Sequence, residues 1–175
     1  MSAIGSFAPT PETMAYGQQR LPARRMTPGV VGGLDGPDGR LGPEHAGALT
    51  LVYGSFAEDA AAQRGYQRFT DAQAGALDAP GFLRWFSFVD GPHGYGLGLW
   101  RSAEDALAFA RGPLHRELVR EQRETPYEYS QFAGIYSAHT VSRRTFACPA
   151  CRSTTAAPAD RCGACGHPLD DGFAG

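Results

Sequence analysis

The sequence contains no lysine and no asparagine, so all 16 of its basic residues are arginine. The first absence excludes a Schiff-base or general-base lysine and a Walker-type phosphate lysine. The second removes any mechanism that rests on an Asn carboxamide. Cysteine is scarce as well: there are four, and none precedes Cys148. No apolar run approaches the ~20 residues needed to span a bilayer. The N-terminus shows no basic-then-apolar leader pattern, so a cytoplasmic chain is expected. With 16 basic against 18 acidic residues the net charge is −2, which argues against a nucleic-acid binder that works by charge alone.

What remains is enough for a globular core. Hydrophobic residues make up 42% of the chain and aromatics 11%, and 175 residues accommodate one full domain with a small appendage. Residues 1–47 hold nine glycines and six prolines with little periodicity, and read as a flexible N-terminal arm without a regular core element. Residues 48–142 are patterned differently. A β-rich stretch at 49–56 leads into a helix near 56–77, with Ser55 and Glu58 as its capping box. Ala62, Tyr66, Phe69 and Leu77 share one face of that helix. Strands follow at 82–89 and 95–100, joined by the turn residues of 90–94. Ser102 and Asp105 cap a second helix whose apolar stripe is Leu107, Ala110, Leu114 and Leu118. Pro113 inside that stripe forces a kink or restart, which places His115 in a first turn. A last strand covers 132–141. The order β-α-β-β-α-β predicts an α+β, ferredoxin-like fold.

The cysteines form two Cys-x-x-Cys pairs, Cys148/Cys151 and Cys162/Cys165, with ten residues between them. Two such knuckles place four thiolates around a tetrahedral Zn²⁺. Disulfides would need an oxidising compartment, and thioredoxin-like chemistry needs only one pair. An iron–sulfur cluster is the remaining alternative. Residues 146–170 therefore read as a zinc ribbon. Four sulfurs close the coordination sphere, so the zinc is structural, and so short a tail draws most of its folding energy from the metal.

Within the central domain Gly94, Gly96, Gly98 and Trp100 alternate and so share one face of a strand. A row of glycines beside an indole marks either a pocket or the close approach of another element. His115 is the sole histidine on an expected helix. A first-turn position lowers its pKa, which makes it the candidate general base. Trp85, Phe86, Phe88 and Tyr136 read as core or dimer-interface aromatics, and His93 and His139 as loop and strand residues with no assigned role.

The run Gly98-Leu99-Trp100-Arg101-Ser102-Ala103-Glu104-Asp105-Ala106-Leu107-Ala108-Phe109, continued by Arg111-Gly112-Pro113-Leu114-His115, resembles the antibiotic biosynthesis monooxygenase-like domains of the dimeric α/β-barrel superfamily. The resemblance implies a homodimer formed by two sheets packed face to face, with Tyr95, Leu97 and Leu99 contributing. It implies a small-molecule oxidoreductase whose substrate or haem lies between sheet and helices. His115 would serve as axial ligand or general base, Trp100 as wall, and Gly96 and Gly98 as part of the cofactor or substrate site. Haem-degrading relatives combine Asn, Trp and His, a set this chain cannot assemble. The competing expectation is a non-catalytic ligand-binding or protein-interaction scaffold that uses the zinc ribbon. Arg143, Arg144, Arg152 and Arg161 surround that ribbon, but Asp160, Asp170 and Asp171 offset them, so nucleic acid is not the expected partner.

Overall fold

The computed structural model describes residues 11–12, 15, 31–36, 41–90, 93–124, 130–142, 145–156 and 159–169. Its first strand, β1 (Val31–Asp35), is followed by β2 (Ala48–Ser55), helix α1 (Asp59–Ala76), β3 (Phe82–Asp90) and β4 (His93–Trp100). Then come α2 (Ala103–Ala110), α3 (Pro113–Glu124) and β5 (Ser130–Ser137), and finally the short strands β6 (Thr145–Ala147) and β7 (Thr154–Ala156). The large sheet has the spatial order β1-β3-β4-β2-β5, with every pairing antiparallel. Without β1, the order is that of a ferredoxin-like βαββαβ unit: the first and third strands lie in the middle, the second and fourth outside. Each strand–helix–strand unit spans a strand inserted between its ends, as that topology requires.

Register explains which side chains meet. Gly98 of β4 lies opposite Thr50 of β2 and Trp85 of β3, and Gly96 lies opposite Val52 and Ser87. Directly opposed residues point to the same side of a sheet, so the glycine row, Thr50, Val52, Trp85 and Trp100 share one face. The helices cover that face: Trp100, Trp85, Phe82, Ala48, Ala76 and Ala106 form the buried cluster, with Phe109 and Phe69 packed on it. Trp100 meets Phe82 edge-on at 5.0 Å and Phe109 at 5.3 Å between ring centroids. Small residues on the helices, Ala76 and Ala106, let them approach so bulky an indole closely. The opposite face carries Leu51, Tyr95, Leu97, Phe88, Phe132 and Tyr136, and Phe88, Phe132 and Tyr136 are exposed.

Three local expectations are corrected. The segment expected to have no regular element contributes β1, which pairs with the edge of β3. Backbone hydrogen bonds to a waiting edge strand stabilise even a glycine-rich sequence of low intrinsic propensity. The capping box at Ser55 and Glu58 does not form: α1 starts at Asp59, with Glu58 as N-cap and no side-chain cap. Ser55 is still in the sheet, opposite His93 and Ser130, so its hydroxyl is not placed to cap. The last strand starts and ends earlier than expected, at Ser130–Ser137. The second cap does form, with the Asp105 N–H donating to Ser102 Oγ at 3.1 Å.

Crowding along the glycine row is uneven and can be tested. A methyl at Gly98 would run into Thr50, and would come within 2.9 Å of Trp85 Cε3 and 3.0 Å of Trp100 Nε1. A methyl at Gly94 meets only Phe56, at an ordinary 3.7 Å. Urea unfolding should show Gly98→Ala destabilised by about 1–3 kcal/mol, and Gly94→Ala within about 0.5 kcal/mol of the parent. Equal effects at the two positions would contradict the packing described.

Candidate functional site

The C-terminal ribbon is built from two near-identical turns. In the first, the Arg152 N–H donates to the Cys148 carbonyl at 2.8 Å and the Cys148 N–H to the Ser153 carbonyl at 2.9 Å. In the second, Gly166 donates to Cys162 at 2.8 Å and Cys162 to His167 at 2.8 Å. The residue after each second cysteine has positive φ, 62° at Arg152 and 71° at Gly166. A left-handed residue there turns the chain so that both sulfurs of a pair face inward. All four sulfurs lie within 4.8 Å of one another, with Cys148–Cys165 and Cys151–Cys162 at 3.6 Å. A tetrahedron with ~2.3 Å metal–sulfur bonds has edges of ~3.8 Å, so the cluster is sized for such an ion.

Thiolate character is uneven across the cluster: although the His167 backbone lowers it, Cys165 is pushed up to about 12 by the Cys151 thiol, burial and its other cysteine neighbours. The Cys162 thiol is pulled down to about 5, first by the Ser153 hydroxyl and then by the N–H groups of Ala164 and Cys165. Cys148, Cys162 and Leu169 are the buried centre of the ribbon, with Phe146 packed against them. So small an apolar cluster is little to hold the turns with, and a metal ion on the four sulfurs would supply what the core does not. His167 contributes its backbone carbonyl and is exposed.

The second site lies between the helices and the sheet. A cavity of about 470 Å³ is walled by Trp85, Trp100, Phe69 and Phe109, with His115 and Gln122 on α3. Its position follows from the helix break. Pro113 has no N–H and begins a new helix, so α2 packs on the sheet while α3 diverges and becomes a wall. The same break positions His115. Its ring hydrogen-bonds the Ala110 backbone in the turn just before α3, and burial pushes its pKa below the ordinary imidazole value. The burial effect is the larger, so the ring is held neutral. One nitrogen is committed to the Ala110 carbonyl and the other keeps its lone pair. Phe109 lies edge-on to the ring at 6.1 Å.

Of the residues expected at this site, Trp100 and His115 both line the cavity. Gly96 and Gly98 do not. The six-membered ring of Trp85 lies over them, so the row accommodates the protein's own indole rather than empty space. Trp85, expected among core or interface aromatics, belongs to the buried core and also walls the cavity. Arg68, Phe109 and Gln122 line it too, and none was expected there. Phe109 was one position off the apolar stripe, and Arg68 and Gln122 carry no sequence signal of burial. Phe86, Phe88 and Tyr136 belong to the open sheet face, as does His93, whose Nδ1 is 3.1 Å from the Tyr53 hydroxyl. His139 is exposed.

Haem was one of two expectations for this cavity. His115 suits an axial ligand, because its second nitrogen is already tied to a carbonyl. Haem propionates need cations, and Arg68 is the one cationic side chain among the described residues lining the cavity. It is engaged with Asp71 at 2.8 Å and Glu121 at 3.0 Å. The donor set does not fit a dianionic macrocycle and does fit a neutral apolar guest.

Two outcomes check this geometry. Because the folded pKa of His115 lies below its unfolded value, the unfolded chain takes up the proton first as pH falls. Stability present above about pH 6.5 should therefore decline as pH drops through the folded value. Urea midpoints measured from pH 7.5 to 5 should show this slope, and His115→Gln should flatten it. For the ribbon, one zinc per chain should be found by metal analysis, and Cys148→Ser should abolish it. Chelation should erase the ribbon's amide signals while those of the βαββαβ domain persist.

No protein-family profile matches the sequence, and no curated protein matches it. Among solved structures, a cofactor-independent oxygenase of Streptomyces nogalater, SnoaB, is similar at 16% identity. That match covers 55% of this chain and 97% of SnoaB, with a TM-score of 0.44. A haem-degrading enzyme of Listeria monocytogenes is similar at 16% identity over 62% of this chain and 68% of that one, with a TM-score of 0.41. A Lactobacillus acidophilus protein assigned as a monooxygenase is 14% identical over 58% of this chain, with a TM-score of 0.43, and the match spans 45% of its own length. The neighbours include ferredoxin-fold proteins related to antibiotic biosynthesis monooxygenases, and the fold itself rests on the strand order given above.

Proposed function

We propose that this chain is a small-molecule oxidoreductase of the monooxygenase type, working without haem and carrying a structural zinc ribbon. The observation that carries the proposal is the aromatic-walled cavity with a neutral, carbonyl-tethered imidazole in its wall. A neutral His with a free lone pair can remove a proton from an activated C–H or phenolic O–H. The anion left behind is electron-rich and can itself reduce O₂. A methylene oxidised this way follows R–CH₂–R′ + O₂ → R–CO–R′ + H₂O. The substrate supplies the electrons, one oxygen forms the new carbonyl, and the other leaves as water. Apolar walls exclude bulk water from the reactive anion, and Trp100 and Trp85 bound the planar guest. A reducing cytoplasm suits four unpaired cysteines that hold a metal.

The open sheet face supports a homodimer. No helix among the described residues is long and apolar enough to cross a membrane. A second copy stacked sheet to sheet would cover Phe88, Phe132 and Tyr136, all exposed in the single chain.

Activity is tested by oxygen uptake with neutral bicyclic and tricyclic phenols or their keto forms, with no cofactor added. One atom from ¹⁸O₂ should enter the product, and His115→Ala should lower kcat by about 10²–10⁴-fold. Saturable binding with no oxygen consumption by any such compound would instead favour a non-catalytic ligand-binding protein. Light scattering should give twice the chain mass, and Phe132→Asp should give monomer. A monomeric parent would contradict the dimer.

A further inference from the structure

Gly96 and Gly98 sit in the middle of the sheet, yet the cavity stops short of them. It reaches Thr50 and Val52, the β2 residues that pair with Gly98 and Gly96, and it ends at Trp85. The reason is on the glycines' surface. A Cβ on Gly96 would meet Trp85 Cζ2, Cε2 and Cη2 as its three nearest atoms, whereas one on Gly98 would meet Thr50 Oγ1 first, then Trp85 Cε3 and Trp100 Nε1. The indole therefore lies along a trough made by missing side chains, with the cavity beside it. Its orientation is fixed from behind. Trp85 Nε1 donates to Ser87 Oγ at 2.9 Å, and Gln73 Nε2 donates to the same oxygen. Trp85, Ser87 and Gln73 are all buried, so breaking this chain of hydrogen bonds leaves polar groups without water.

We infer that Trp85 is the plug that sets the length of the guest this cavity accepts, and that the trough over Gly96 is a latent extension closed by its indole. This inference rests on reading the cavity as a guest site. The chemistry of that guest follows from the walls: planar, aromatic and neutral, since the cavity's single described cation is already paired with two carboxylates. A natural residue exchange at position 85 would then alter which ring systems enter without touching His115. Replacing Trp85 by a smaller apolar residue should lengthen the cavity along β4. Filling the trough again from the glycine side should shorten it, because the three atoms nearest a Cβ on Gly96 all belong to Trp85.

The test is a calorimetric series with phenol, 2-naphthol and 2-hydroxyanthracene, probes that differ by one fused ring each. Parent, Trp85→Val and Trp85→Val/Gly96→Val proteins are compared, with the Trp100 indole N–H signal as the check of folding. The affinity ratio of 2-hydroxyanthracene to 2-naphthol should rise on the order of tenfold in Trp85→Val. It should fall back in the double variant. Trp85→Phe, a milder change, should shift the ratio in the same direction by less, and keeps the test available if the valine variant does not fold. An unchanged ratio in folded variants would overturn the plug while leaving the guest site intact. Failure of the parent to bind any of the three would overturn the guest site itself.

Discussion

Everything at the cavity depends on a helix that stops being one helix at Pro113. A continuous helix from Ser102 to Glu124 would lay its apolar stripe along the sheet and leave no hollow between the two. Proline has no N–H to continue the ladder. The chain turns at Gly112, where the N–H bonds back to Phe109 at 2.9 Å, and restarts. Three consequences follow from that one constraint. α2 stays on the sheet and packs Ala106 and Phe109 against Trp100. α3 leaves the sheet and encloses space. The turn also leaves the Ala110 backbone for the His115 ring to bond, and burial keeps that ring uncharged.

The enclosed space needs support on its other side. α3 is tied to α1 by Arg68 and Glu121 at 3.0 Å, a half-exposed pair that orients the wall more than it stabilises it. The floor is harder: Trp85 lies on backbone that has no side chains to give way, and is held there by Ser87. The result is a hollow with a firm floor, an apolar lining and an imidazole in its wall. The ribbon follows a different logic. Its apolar content is three or four side chains, too little for a core, and its two knuckles take their shape from positive-φ residues and from sulfurs that converge on one point.

Legibility varied with the kind of signal. The strand–helix order, the Ser102 cap, the shared face of Gly94 to Trp100 and the four cysteines are local patterns, and local patterns survive folding. The knuckles were legible for the same reason, since Cys-x-x-Cys spacing is itself the geometry. β1 was not legible: a Val-Gly-Gly-Leu-Asp stretch becomes a strand because β3 offers an unpaired edge, a fact of tertiary structure. The capping box at Ser55 failed because the sheet held Ser55 first. The meaning of the glycine row was half legible. Alternation showed that the face was bare, but only the register, with Trp85 opposite Gly98, shows what lies on it. Arg68 and Gln122 carry no local pattern that marks them, and reach the cavity only because α1 and α3 face each other across it.

The most direct test uses the fact that the protein has only two tryptophans, both in the cavity wall. Their two indole N–H resonances can be followed by ¹H–¹⁵N spectroscopy while 2-naphthol is added to the intact chain. If the hollow receives a neutral aromatic guest, both resonances should move together and saturate, along with the His115 ring. If neither indole responds at millimolar guest, or shifts are confined to residues of the open sheet face, the account of this site is wrong.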